Sequence, residues 1–328
     1  MLSNNPLVSV IIPAYNHAKY VQETIKSVVN QTYNNIELII IDDGSKDDTW
    51  QKIQEISEVC KRRFCRCVFQ KQHNQGTSIT LNKAVPLCTG KYVAIIASDD
   101  IYLPNCIEEQ VKVMEENPNI VQTLPDNISI DDKGRPFKGF KYDNKTFNLR
   151  SEYWLAEYPF FDLLSEDFHS YKNILEKDFW SNGFLLRKEA IDKFFPIPIV
   201  KMSEDYYINL QLAKLGLVKF INKPLCLYRL HETNSVNNQE YMKMISTNVR
   251  IEEIKNVLKP GQEKWKLILK DVWFKGKIIS WGFKNFCIQK FRNEFVSKRC
   301  IKFFKWQFTL RKRIIYRIPS SLSEKFLD

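Results

Sequence analysis

The chain has 328 residues, 44% of them apolar and 27% charged. This allows one large domain or two average ones with ample core, and excludes a small fold that depends on disulfide or metal staples. The net charge of +11 is uneven: residues 241–328 hold 21 Lys/Arg against 7 Asp/Glu, and the remainder 28 against 31, which suggests an anionic surface as partner at the C-terminal end.

LVSVIIP at 7–13 is an apolar run ended by proline and reads as a buried strand. A helix follows, with Val21, Ile25, Val28 and Val29 on one face. IELIII at 36–41 is a second buried strand, ended by Asp42-Asp43-Gly44-Ser45. Asp47, Asp48 or Thr49 caps the next helix, which carries Trp50, Ile53 and Ile56. Residues 67–69 suggest a third strand, 78–88 a helix and YVAIIA at 92–97 a fourth strand, followed by Ser98-Asp99-Asp100. Pro104 opens a helix with Ile107, Val111 and Met114 on one face.

Strand and helix thus alternate for about 115 residues. The strands are continuously apolar, which implies an α/β fold with a mostly parallel sheet covered on both faces. Ligands of such sheets bind beyond the carboxyl ends of the strands. Those ends carry the polar residues: Pro13-Ala14-Tyr15-Asn16, Asp42-Asp43 and Asp99-Asp100.

Beyond residue 118 the pattern changes. IVQTL at 120–124 and the turn Asp131-Asp132-Lys133-Gly134 suggest a hairpin. Residues 135–178 have no clear period and read as a long excursion shaping a site. A strand then a helix are expected over 181–195. Glu204-Asp205 opens a helix with Ile208, Leu212 and Leu215, capped by Gly216. VKFI and LCLYRLH read as two short strands ending at His231, and 240–318 as helical, basic and aromatic.

Three constellations carry chemistry. Carboxylates at strand ends suit a hard divalent cation, although Asp and Gly also simply end strands. Glu204-Asp205 offers a general base, or a favourable charge at a helix start. His231 reads as a metal ligand, a hydrogen-bonding group or a structural histidine. The other histidines (His17, His73 and His169) show no metal spacing.

VSVIIPAYN, LIIIDDGSKDDT, GKYVAIIASDD, SEDYYINLQLAKLG and LYRLHETNSV, in that order and spacing, resemble the family 2 glycosyltransferases of the GT-A fold over residues 7–236. The resemblance implies an inverting transfer from a UDP-sugar to a glycan hydroxyl, in lipid-linked oligosaccharide, capsule or lipopolysaccharide synthesis. By it, Pro13, Ala14, Tyr15 and Asn16 line the nucleoside pocket, Asp42 accepts from the base with Asp43 beside it, and the segment His73-Asn74-Gln75-Gly76 through Asn82 flanks the nucleotide. Ser98, Asp99 and Asp100 meet the donor, Asp99 and His231 hold Mn2+ or Mg2+, and Asp205 is the general base with Glu204 its neighbour. Arg229 and Ser235 support the His231 loop. Two positions depart from the family: Ala97 stands where the D-x-D motif begins with Asp, and Leu81 where a basic residue precedes Asn82.

The implied organisation is a nucleotide-sugar half at 1–118, an acceptor and catalytic half at 119–239, and a helical basic extension at 240–328. Residues 264–317 interleave Lys and Arg with aromatics. An anionic membrane surface and simple packing onto the catalytic domain are both open readings. No RNA- or DNA-binding signature accompanies them, so nucleic acid is not expected. No run reaches roughly 18 uncharged apolar residues and no signal peptide is seen, so a cytoplasmic protein with reduced thiols, peripheral on the inner face of the plasma membrane, is expected. Cys60, Cys65 and Cys67 lack a paired C-x-x-C spacing and read as a weak metal site or as ordinary small residues. Two rival functions stay open. A sugar nucleotidyltransferase wants a Gly-rich phosphate loop that PAYNHAKY lacks, and a degenerate, non-catalytic scaffold has Ala97 as its support.

Overall fold

The computed structural model describes residues 5–159, 162–166, 169–176 and 182–257. The segment 264–317, and the basic extension beyond 257, lie outside them. In chain order the elements are β1 (Val8–Ala14), α1 (Val21–Val29), β2 (Ile36–Asp42), α2 (Thr49–Arg63), β3 (Arg66–Lys71), α3 (Thr77–Ala84), β4 (Tyr92–Ile95), β5 (Ile101–Tyr102), α4 (Cys106–Glu116) and β6 (Ile120–Ile130). They continue with β7 (Phe140–Tyr142), β8 (Lys145–Phe147), α5 (Arg150–Glu157), α6 (Tyr171–Glu176), β9 (Leu185–Arg187), α7 (Lys188–Ile191), α8 (Glu204–Leu212), β10 (Leu217–Arg229) and α9 (Gln239–Val257).

Eight strands form one mixed sheet in the order β3-β2-β1-β4-β9-β6-β10-β5. The first four are parallel, β9 is antiparallel to both neighbours, β6 and β10 are parallel, and β5 is antiparallel to β10. Strand alternation divides the core into two layers. Val10, Ile12, Leu38 and Ile40 point to one side, against Val21 and Ile25 of α1, Ile53 of α2 and Val111 of α4. Ile11, Ile39 and Ile41 point to the other, against Leu81 of α3, Trp154 of α5, Ile191 of α7 and Ile208 of α8. This is why β1 and β2 are apolar at successive positions: each face meets a helix layer, and each fully buried Ile or Val contributes about 1.5–3 kcal/mol.

The second half departs from the sequence expectation in several places. The 131–134 turn folds the chain back on β6, with Asp131 N–H donating to Arg135 O at 2.9 Å and Phe137 N–H to Ser129 O at 3.1 Å, but isolated bridges rather than a paired strand follow it. β6 continues through Asp126 and Asn127 because Asp126 is satisfied inside the core, accepting from Ser151 N–H at 3.0 Å and the Ser151 hydroxyl at 2.6 Å. After Asp131–Gly134 the chain touches β6 at two isolated bridges, Ile130 to Pro136 and Ile128 to Leu149, and the two-stranded ladder that forms is β7–β8. VKFI and LCLYR join into the single strand β10, which keeps its pairing with β6 across irregularities around Pro224. Gly216 does not cap α8. The helix ends at Leu212, Leu215 lies beyond it and exposed, and Gly216 is needed because a Cβ there would meet Asn119 O at 2.5 Å. The fourth strand stops at Ile95, so Ile96 and Ala97 belong to the loop. α4 begins at Cys106, two residues after Pro104.

Candidate functional site

The parallel strands bring their polar ends to one edge. Ala14 pairs with Asp42, Asp43 N–H donates to Ala14 O at 2.8 Å, and Ile96 N–H donates to Ile11 O at 3.1 Å. The end of β1, the turn after β4, the start of α8 and the loop after β10 therefore surround one cleft of about 420 Å³. Of the residues expected to form the site, Pro13, Ala14, Tyr15, Asp43, Ser98, Asp99, Asp100, Glu204 and Asp205 line it. Ala97 lines it as well.

Asn16, Asp42, Asn74, Gly76, Asn82 and His231 are not part of this lining. Asn16 takes a left-handed φ of 53°, and its side chain accepts from Lys46 N–H at 2.8 Å, which ties the β1 and β2 loops together. Asp42 is fully buried. One of its oxygens accepts from Ser45, and the other makes no hydrogen bond among the described residues and lies 3.7 Å from Lys71 Nζ. Asp43 spends its carboxylate on the following loop, accepting from Gln72 Nε2 at 2.7 Å, Gln75 N–H at 2.8 Å and Gly76 N–H at 2.8 Å. Asn74 backs against Gly44, whose φ of 72° and close approach to Asn74 N exclude a side chain. Asn82 is committed to Ile197, donating to its carbonyl at 2.8 Å and accepting from its N–H at 2.7 Å.

The Asp99-Asp100 turn is clamped by Arg229, which is 1% exposed. Arg229 Nε donates to Asp99 O at 2.8 Å, its backbone N–H donates to Asp100 Oδ1 at 2.9 Å, and its guanidinium lies over the Tyr20 ring and pairs with Glu23. Asp100 also accepts from Asn182. Burial, with Asp99 beside it, pushes the Asp100 carboxyl well above the usual carboxylate range. Asp99 is buried too, but the His231 hydrogen bond and the nearby imidazoles outweigh desolvation and hold its carboxyl below that range. Asp99 Oδ2 lies 3.0 Å from His231 Nε2 and 3.3 Å from Asn234 Nδ2.

His17 joins this group, and the sequence spacing did not reveal it. Its Nδ1 lies 2.8 Å from Ser98 Oγ and 3.8 Å from Asp99 Oδ1, and its ring meets that of His231 edge-on at 5.6 Å. The ligand atoms of His17, Asp99 and His231 all lie within 4.8 Å of one another. Among the described residues, Cys60, Cys65 and Cys67 do not form such a group.

On the other wall, Glu204 and Asp205 occupy the first turn of α8. The Ser78 hydroxyl of α3 donates to Glu204 Oε1 at 2.8 Å, and burial raises the Glu204 carboxyl above its ordinary value. Thr233 to Val236, with Met242 and Ile245 of α9, close the remaining side.

Residues 9–195 match the profile of the family described as Glycosyl transferase family 2. The chain belongs to that family. A Haemophilus influenzae protein named as an uncharacterized glycosyltransferase is 32% identical over 245 residues, 73% of this chain and 71% of its own. A Methanocaldococcus jannaschii protein of the same description is 36% identical over 157 residues, 47% of this chain and 53% of its own. Among solved structures, a mannosyltransferase from Pyrobaculum calidifontis in complex with GDP-Man and Mn2+ superposes with a TM-score of 0.60 at 14% identity, covering 94% of this glycosyltransferase and 81% of that chain. Staphylococcus aureus TarS in complex with UDP-GlcNAc superposes with a TM-score of 0.57 at 19% identity, covering 84% and 75%. The fold is GT-A, a mostly parallel sheet between helices, as the motifs implied.

Proposed function

We propose that this glycosyltransferase transfers a hexose from a nucleotide-sugar, expected to be a UDP-sugar, to a hydroxyl of a glycan acceptor with inversion at the anomeric carbon. The observation that carries the reading is the convergence of strand-end residues, Asp99 and the α8 carboxylates on one cleft, with His231 hydrogen-bonded to Asp99. In this reading Pro13 to Asn16 cradle the nucleoside. Asp42, whose buried second oxygen has no hydrogen-bond partner among the described residues, is the acceptor for a base N–H. Asp43, Asn74, Gly76 and Asn82 shape the loops around it.

The chemistry follows from the two walls. Asp205 takes the proton of the acceptor hydroxyl as its oxygen bonds to the anomeric carbon, and the bond to the diphosphate breaks with its electron pair leaving on the phosphate. Such a base supplies about 10²–10⁴-fold. Glu204, held by Ser78, positions the first turn of α8. The donor set at Asp99 and His231 fits a divalent cation, Mn2+ or Mg2+, which when bound neutralises the charge developing on the diphosphate. Ser98 and Asp100 complete the turn that meets the donor.

The acceptor we infer is a glycan of capsule, lipopolysaccharide or lipid-linked oligosaccharide synthesis, met at the inner face of the plasma membrane. The basic, aromatic segment 264–317 supports that placement by composition. Among the described residues no helix is long and apolar enough to cross a membrane. Screening nucleotide-sugars by nucleoside diphosphate release tests the donor assignment, and Asp205→Asn tests the base. Unchanged turnover in that variant would refute Asp205's role.

A further inference from the structure

We propose that His17 is the third protein ligand of a divalent-cation site completed by Asp99 and His231, and that its two imidazoles make the site prefer a transition-series cation such as Mn2+ or Co2+ over Mg2+. The inference rests on the donor-site reading above for where the cation acts, but not for whether it binds.

The geometry is that of donors around one ion. Two donors each about 2.1 Å from a shared cation lie ~3.0 Å apart at a right angle and ~4.2 Å apart when opposite. His231 Nε2 is 3.0 Å from Asp99 Oδ2, and His17 Nδ1 is 3.8 Å from Asp99 Oδ1. The full set falls within 4.8 Å, so closing it on an ion takes side-chain shifts of a few tenths of an ångström. Both histidines are already held in place. The His17 backbone N–H donates to Thr49 Oγ1 at 2.8 Å, His231 N–H donates to Asn234 Oδ1, and Tyr20 packs on both rings at centroid distances of 6.0 and 4.8 Å. His231 has an outer partner as well: Thr233 Oγ1 lies 2.9 Å from Nδ1, and in the tautomer with its hydrogen on Nδ1 that hydroxyl accepts from the ring, which leaves Nε2 to the cation.

The sequence gives this arrangement a reason. Ala97 removes one carboxylate from the turn after β4, and the structure brings in an imidazole from the loop after β1 instead. The resulting donor set is two nitrogens and one carboxylate. Mg2+ demands oxygen donors and keeps its waters, whereas imidazole nitrogen suits the later first-row cations.

The test uses the full-length chain with Mn2+ alone, without nucleotide. Pulsed electron paramagnetic resonance of bound Mn2+ should show nitrogen modulation from two imidazoles in the unmodified protein. Titration of free Mn2+ should show His17→Ala and His231→Ala each weakening binding by about 10–100-fold or more. Mg2+ should displace Mn2+ only at about tenfold excess or greater. A one-imidazole signal, unchanged Mn2+ binding in His17→Ala, displacement at equal Mg2+, or no Mn2+ uptake overturns the proposal. The one-imidazole spectrum decides the matter even if His17→Ala fails to fold. Nucleotide release from a nucleotide-sugar by a one-imidazole protein would overturn this inference alone. A two-imidazole protein releasing nucleotide from no nucleotide-sugar would overturn the donor reading and leave the site standing.

Discussion

Arg229→Met tests how the Asp99-Asp100 turn is held. Methionine keeps an apolar stem over the Tyr20 ring but removes the guanidinium, which donates to Asp99 O at 2.8 Å and Asp131 O at 3.2 Å and pairs with Glu23. Each lost charge-assisted bond to a buried carbonyl costs about 1.5–3 kcal/mol, the longer one at the low end. The Glu23 pair adds only ~0–1 kcal/mol because its carboxylate is 53% exposed and screened by water. The expected loss is therefore about 3–5 kcal/mol. Urea unfolding followed by circular dichroism should show it as a lower midpoint at unchanged slope. Arg229→Lys, which can rebuild one of the bonds, should fall between the two. A loss below about 1 kcal/mol at unchanged slope would refute the clamp.

Three further outcomes follow from particular contacts. Gly44→Ala should destabilise by about 2–5 kcal/mol, since it adds a clash 2.5 Å from Asn74 N to the strain of φ 72°. Gly76→Ala should cost only ~1–2 kcal/mol, because its φ of 88° is strained but the space is open; equal losses in thermal melts would contradict this. Glu204→Gln should change the pH dependence of stability. Burial raises the Glu204 carboxyl, so the folded chain binds that proton more tightly than the unfolded one. The stability this contributes is present at acid pH and lost as pH rises through the raised value. The melting temperature of Glu204→Gln relative to the parent should accordingly climb from acid to neutral pH, and a flat difference would count against it.

Much of the fold was legible because β1, β2 and β4 are apolar at nearly every position, with Ser9 and Glu37 the interior exceptions that bond to each other, a pattern a doubly covered sheet requires. The second half was less legible for a physical reason. β9 is three residues long and inserts between β4 and β6 through pairings distant in sequence. β6 carries Asp126 and Asn127 into the core, where a partner from α5 rather than local pattern satisfies the aspartate. In the site, the strand-end carboxylates could be read because they follow apolar runs. His17 could not, since its partners are 82 and 214 positions away and only the sheet brings them together. Asp43 and Asn82 illustrate the converse. Both stand in motif positions, and both use their side chains to fix neighbouring loops.

The central claim is that the cleft at the strand ends holds a nucleotide-sugar. Calorimetric titration of the full-length chain with UDP- and GDP-sugars in the presence of Mn2+ tests it without knowledge of the acceptor. One-to-one binding of at least one nucleotide-sugar is expected, retained in Asp205→Asn and lost or strongly weakened in Asp99→Ala. Absence of binding by every nucleotide-sugar, or full binding in Asp99→Ala, would contradict it.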